Sequence, residues 1–167
     1  APLCVLTGAH GLDVLATIAP PSLPRHVVTL AAAPTARPVP YRHRGLRPLY
    51  TLFTSGSTGT PKGVQVPDRT LCNLLTWQRA EGGLERPAVT QQFAMLSFDV
   101  SFQEIFCTLA PGGTLVCIDE TDRRDPTRLW QLLAEQSVHR LFLPYAALEV
   151  LSVFAERLSP EKIVLRE

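Results

Sequence analysis

Short continuous apolar runs alternate along the chain with segments whose apolar residues recur every three or four positions. The runs Leu3–Leu6, Val27–Leu30, Leu49–Phe53, Gly63–Val66, Thr90–Met95, Thr114–Ile118, Arg140–Leu143 and Lys162–Leu165 predict strands. The segments Leu12–Ile18, Thr70–Glu81, Ser101–Leu109, Pro126–Glu135 and Ala146–Arg157 predict helices. Such alternation implies an α/β fold, a mostly parallel sheet with helices on both faces. Leu141-Phe142-Leu143 is apolar throughout, which suits a central strand. Gly112-Gly113 signals the end of one helix, and Asp125-Pro126 signals the start of another. In a sheet of this kind ligands collect beyond the carboxyl ends of the strands.

One stretch breaks the alternation. Seven of the 15 prolines lie between Pro20 and Pro48, together with Ala31-Ala32-Ala33 and the basic run Arg42-His43-Arg44. Residues 20–48 therefore read as a long surface connection. The 167 residues suit one domain, here residues 1–167, and the 46% hydrophobic against 19% charged composition excludes a disordered chain. Lys+Arg is 16 and Asp+Glu is 15, so no broad field favours nucleic acid or an anionic membrane. No apolar stretch approaches the roughly 18 residues of a membrane span. The start, Ala1-Pro2-Leu3-Cys4-Val5-Leu6, lacks the basic region of a secretory signal. Both ends fall in strand-like runs, so the chain reads as a piece of a longer polypeptide. Cys4, Cys72, Cys107 and Cys117 form no C-x-x-C pair and sit among apolar neighbours, which predicts buried free thiols in a reducing cytoplasm. His10, His26, His43 and His139 share no ligand spacing, and no metal site is expected.

The most informative segment is Thr54-Ser55-Gly56-Ser57-Thr58-Gly59-Thr60-Pro61-Lys62-Gly63. Its glycines let successive N–H groups point into one hollow, its hydroxyls add donors, and Lys62 adds a positive charge. Such a loop suits nucleotide phosphates. It is not a Walker loop, because Pro61 stands where the second glycine belongs and Val64-Gln65-Val66 continues as a strand. On composition alone a flexible Ser/Gly hairpin is the alternative. A second segment, Leu96-Ser97-Phe98-Asp99-Val100-Ser101-Phe102-Gln103-Glu104-Ile105-Phe106, leaves one strand and opens a helix. Asp99, Val100 and Gln103 can share one side of its first turn, while Phe102, Ile105, Phe106 and Leu109 form an apolar stripe expected to hold the helix down. Asp99 could pair with a ligand ammonium group. It could equally serve the helix start, since Ser101-x-x-Glu104 has the form of a capping box.

Leu49-Tyr50-Thr51-Leu52-Phe53 followed by the loop through Gly63 resembles the phosphate-loop signature of the adenylate-forming superfamily, which includes acyl-CoA synthetases, luciferases and nonribosomal peptide synthetase adenylation domains. Phe98-Asp99-Val100-Ser101 is similar to the adenylation-domain motif whose aspartate pairs with the substrate α-amino group, and Leu109-Ala110-Pro111-Gly112-Gly113-Thr114-Leu115-Val116 also looks like that family. Asp68 stands where the family usually has histidine.

The resemblance implies a flavodoxin-like subdomain of an adenylate-forming core, with ATP phosphates held by Thr54, Ser55, Gly56, Ser57, Thr58, Gly59 and Lys62. It implies a substrate amino acid met by Asp99, Val100, Gln103 and Tyr145, whose order resembles the pocket of proline-activating domains. The implied reaction makes aminoacyl-AMP from an amino acid and Mg-ATP, then loads a carrier-protein phosphopantetheine thiol. The Mg2+ ligand, the ribose-binding aspartate and the C-terminal lobe with its lysine have no counterpart here, so no catalytic residue is assigned and the isolated chain is expected to be inactive. The implied partners are the rest of the adenylation domain, a peptidyl carrier protein and, within the family's range, a small MbtH-like activator. An acyl- or aryl-CoA ligase piece and a non-catalytic scaffold of the same fold are the competing readings. Asp99 speaks against the first of these, since an acyl chain offers no ammonium to a buried carboxylate.

Overall fold

The computed structural model describes residues 5–7, 11–18, 21–27, 47–55, 59–155 and 163–166. The chain divides into two compact units, Ala1–Tyr41 and Arg42–Glu167. In the first, strand β1 (Val5–Thr7), helix α1 (Gly11–Ile18) and strand β2 (Arg25–Val27) follow one another, and β1 pairs parallel to β2 with Val5 opposite Arg25. β2 thus lies inside the proline-rich stretch expected to be pure connection. Residues 28–46 of that stretch, with most of the predicted strand Val27–Leu30, fall outside the described residues.

The second unit opens with β3 (Pro48–Thr54) and β4 (Lys62–Pro67), an antiparallel hairpin with a register shift between Pro48 and Tyr50. Helix α2 (Asp68–Ala80) follows at once. Then come β5 (Val89–Gln92), α3 (Val100–Leu109), β6 (Thr114–Cys117), α4 (Glu120–Arg124), α5 (Pro126–Glu135), β7 (Arg140–Leu141) and α6 (Tyr145–Ala155). Strands β6, β5 and β7 form a parallel sheet in that order, with Gln91 opposite both Val116 and Leu141.

Period-two alternation on β5 sorts the layers. Val89 and Phe93 pack with Leu129 and Leu133 of α5, Val138 of the connection after it, Leu141 of β7 and Leu151 of α6. Thr90 and Gln92 face the other way, with Arg140 beside Thr90 in the register, and there they meet α3. The apolar core therefore lies on the α5–α6 side. Leu133 is fully buried, and burying a leucine completely contributes roughly 1.5–3 kcal/mol relative to exposure.

The layer under α3 is polar. Its buried residues are Ser101, Glu104, Cys107 and Thr108, whereas Phe106 and Leu109 are exposed and Phe102 and Ile105 are half-buried. The stripe expected to hold the helix down is thus not the face it buries. Helical spacing fits both sets, and the hydrogen bonds that Glu104 makes to the end of β5 decide between them.

The helix ends follow local chemistry. Asp125 caps α5, its Oδ1 accepting from the N–H groups of Thr127 (2.9 Å) and Arg128 (3.2 Å), with Pro126 in the first turn. After α3, the Gly113 N–H donates to Thr108 O at 2.8 Å. A Cβ on Gly113 would lie 2.4 Å from Ala88 O and 2.7 Å from Thr108 O, so only glycine lets β6 start there. Three further expectations are corrected. β5 stops at Gln92 and β7 at Leu141, short of Met95 and Leu143, and residues 163–166 form no strand, although the Arg166 N–H donates to His139 O at 2.9 Å. Cys107 is buried, but Cys72 and Cys117 are exposed and free, because each lies on the outward side of its element. Cys4 lies outside the described residues. Among the described residues no helix is long and apolar enough to cross a membrane.

Candidate functional site

The hairpin strands pair up to the edge of the loop. Thr54 stands opposite Lys62 and Phe53 opposite Gly63, and the Thr54 hydroxyl reaches Lys62 O at 3.4 Å. Thr54, Ser55, Gly59 and Lys62 are all exposed. Gly59 has φ of +80°, a left-handed conformation that favours glycine. Gly56, Ser57 and Thr58 lie outside the described residues. At the far end of the hairpin the Asp68 N–H donates to Arg47 O at 2.9 Å, and the buried Asp68 carboxylate accepts from Arg69 N at 2.8 Å as α2 begins. An acidic side chain in a first helical turn is favoured by the helix dipole, which accounts for a buried aspartate at this position.

The hairpin packs on the helix that carries Asp99. The rings of Tyr50 and Phe102 stack with centroids 3.7 Å apart and planes 16° from parallel. Burial raises the Tyr50 hydroxyl above its ordinary value, and the negative charge of Asp99 adds to the effect, so the two side chains feel each other directly.

Between β5 and α3 the chain turns tightly. Phe98 N donates to Met95 O at 2.9 Å and Ser101 N to Phe98 O at 3.2 Å. Asp99 is the N-cap of α3 and its Oδ1 accepts from Val100 N at 2.9 Å, so the alternative helix-capping role is present locally. The capping box is not formed. Ser101 Oγ donates back to Phe98 O at 2.7 Å, and Glu104 turns inward instead. One Glu104 oxygen accepts from Phe93 N and Ala94 N, each at 3.1 Å, and the other from Ala94 N at 3.1 Å and Gln92 Nε2 at 3.4 Å. Gln92 Nε2 also donates to Ala94 O. Burial raises the Glu104 carboxyl above the usual carboxylate range, while these hydrogen bonds and the charge of Arg123 pull the other way.

A cleft of about 900 Å3 opens at this carboxyl end of the sheet. One wall is Phe93, Ala94 and Met95, another is Phe98, Val100 and Gln103, a third is Leu141, Phe142, Leu143 and Pro144, and a fourth is Glu120, Arg123 and Arg124. Of the sequence-predicted substrate residues, Val100 and Gln103 line it. Asp99 lies between two lining residues without being one, and Tyr145 is 77% exposed just beyond the wall. Phe142 is in the wall, and the sequence pattern missed it because it was read only as buried strand. The α4 wall was missed as well. Its signal was there to find: Asp119 caps it by accepting from Asp122 N at 2.7 Å, acidic residues open it and Arg123-Arg124 close it. Arg124 pairs with Glu120 at 2.8 Å, and Arg123 pairs with the same carboxylate.

A hairpin carrying a hydroxyl- and glycine-rich loop, packed on a helix that lines a cleft at the carboxyl end of a parallel sheet, is the frame of a nucleotide-dependent enzyme core. The chain belongs to the AMP-binding enzyme family, which it matches over residues 13–164. It is 41% identical over 109 residues to a plipastatin synthase of Bacillus subtilis, covering 65% of this chain and 3% of that protein. It is 36% identical over 147 residues to malpinin synthetase of Mortierella alpina, covering 86% of this chain and 2% of that protein. Among solved structures, the nonribosomal peptide synthetase FmoA3 superposes with a TM-score of 0.83 at 26% identity, over 98% of this chain and 17% of its own. Its AMPPNP-bound form gives the same TM-score. The α/β fold expected from the alternation is that of the synthetase structure.

Proposed function

We propose that this chain is part of an adenylation domain that activates an amino acid with ATP for nonribosomal peptide synthesis. An oxygen of the amino-acid carboxylate attacks the α-phosphorus, the bond from that phosphorus to the pyrophosphate oxygen breaks, and aminoacyl-AMP and pyrophosphate form. The phosphopantetheine thiol of a peptidyl carrier protein then gives up its proton and attacks the acyl carbon, and AMP leaves.

The reading is carried by the hairpin, whose exposed Thr54 and Lys62 pair across the two ends of a sequence rich in small donors, and which stacks on the helix that lines the cleft. In this reading Thr54, Ser55, Gly56, Ser57, Thr58, Gly59 and Lys62 hold the β- and γ-phosphates and stabilise charge on departing pyrophosphate. Asp99 pairs with the α-ammonium group and orients the carboxylate, a positioning role with no proton transfer. Val100 and Gln103 meet the side chain. Proline is the proposed substrate: Val100 and the apolar cleft suit a small ring, and Phe142 supplies an aromatic wall where Tyr145 was expected to. Mg2+ would arrive with ATP. In this reading its protein ligand belongs to the rest of the adenylation domain. The remaining adenylation-domain lobe and the carrier protein are the proposed partners, with an MbtH-like activator as a third.

The test is ATP–pyrophosphate exchange by a polypeptide carrying the complete domain, run against a panel of amino acids. Proline should support the fastest exchange, Lys62→Ala should raise the KM for ATP about tenfold, and Asp99→Asn should raise that for the amino acid by a similar factor. Exchange with aryl or fatty acids and with no amino acid would overturn the assignment in favour of a CoA ligase. Absence of ATP binding would overturn it in favour of a scaffold.

A further inference from the structure

Strand pairing on β5 ends at Gln92, so the next two amides, those of Phe93 and Ala94, lie beyond its ladder. Both donate to Glu104, which is fully buried. A buried carboxylate is costly, and a leucine at this helical position would fill the space at no such cost but would leave two half-buried amides without acceptors. The location of those amides gives the arrangement its meaning. Phe93, Ala94 and Met95 line the cleft from the end of β5, while Val100 and Gln103, one turn and one residue before Glu104, line it from α3. Glu104 is thus a single side chain tying the two walls together, bonded through both oxygens to one and covalently part of the other. Gln92, also on β5, braces it through Nε2.

We propose that Glu104 is a positioning residue that sets the separation and rotation of the β5 and α3 walls, and through them the fit of the substrate side chain. The proposal deepens the adenylation reading and rests on it for the identity of the substrate. A carboxylate is suited to the task because both oxygens accept. An amide at the same place offers one acceptor and turns a donor toward donors.

The experiment measures pyrophosphate exchange by the complete domain carrying Glu104→Gln, varying amino acid and ATP separately. The amino-acid KM should rise at least about tenfold while the ATP KM stays within about twofold, and discrimination against a homologue one methylene larger should narrow. Glu104→Asp keeps both acceptors but draws them back, and should fall between the two. An amino-acid KM that does not move, or equal rises in both KM values, would overturn the proposal, since a merely structural loss moves both alike. Should Glu104→Gln fail to fold, Glu104→Asp is judged by the same ratio. Amide hydrogen exchange gives an arm that needs no substrate. In the wild type the Phe93 and Ala94 amides should exchange at least about tenfold more slowly than those of Leu96 and Ser97. Equal rates would overturn the clamp itself. If the wild type shows no amino-acid-dependent exchange while these amides are protected, the adenylation reading fails and the clamp stands.

Discussion

The β3–β4 hairpin and the β5–α3 junction build on opposite principles. Of the hairpin strands, the residues from Lys62 to Gln65 are exposed without exception, Phe53 is 71% exposed, and the pairing ladder together with the Tyr50–Phe102 stack holds the whole in place. At the junction, Thr90 and Gln92 are buried, and so are Ser101, Glu104 and Thr108 of α3. Where the hairpin strands run into the loop proposed to hold phosphates, Thr54, Ser55 and Lys62 stand in solvent. The cleft wall at Phe93 and Ala94 is tied to α3 by hydrogen bonds to the buried Glu104 carboxylate, which fix a geometry where apolar packing alone would tolerate sliding.

The contrast can be broken by experiment. The largest effect is expected from setting the apolar core on the other face of β5 against the hairpin. Leu133→Ala, in the core beneath β5, should cost about 3–4 kcal/mol in urea unfolding, whereas Phe53→Ala on the hairpin should cost less than about 1 kcal/mol. Similar losses at both sites would erase the distinction. Next in size is Phe102→Ala, which removes the one stacked ring pair seen among the described residues. About 2 kcal/mol should be lost, and amide exchange should accelerate in the hairpin before it does in β5. A smaller effect is a tilt of stability with pH. The Glu104 carboxyl titrates above its ordinary 4.5 in the folded protein because burial disfavours its charge. The folded state therefore holds more protons than the unfolded one between these values, and stability falls as pH rises through that window. Melting curves should show the wild type losing ground to Glu104→Gln as pH climbs from 4.5, and the opposite slope would mean that the hydrogen bonds outweigh burial. The smallest effect concerns the end of α5, where Ser137 adopts φ of 49°, a conformation glycine takes without strain. Ser137→Gly should raise stability by about 0.5–1 kcal/mol, read as a small upward shift in the urea midpoint.

Much of the frame was legible in the sequence because it depends on local rules. Asp125-Pro126 opens α5 where the pattern predicted, and the loop from Thr54 to Gly63 joins two strands as its alternation required. Where the pattern failed, two solutions satisfied the same period. Along α3 the set Phe102, Ile105, Phe106 and Leu109 and the set Ser101, Glu104 and Thr108 are both helical faces, and hydrophobicity favours the wrong one. The capping box failed for the same reason, since Glu104 had a distant pair of amides to serve that no window of sequence could contain.

The sequence by itself determined the order of most strands and helices and the family, because periodicity, glycine placement and a long contiguous motif all act within a few residues. Only the tertiary structure decided which face of α3 is buried, that Phe142 and α4 join the cleft while Tyr145 stands outside it, and that Glu104 bridges two walls. Those outcomes depend on which unpaired amides and side chains the folded chain brings opposite one another, and burial makes the cost of leaving such groups unmatched large enough to override local preference.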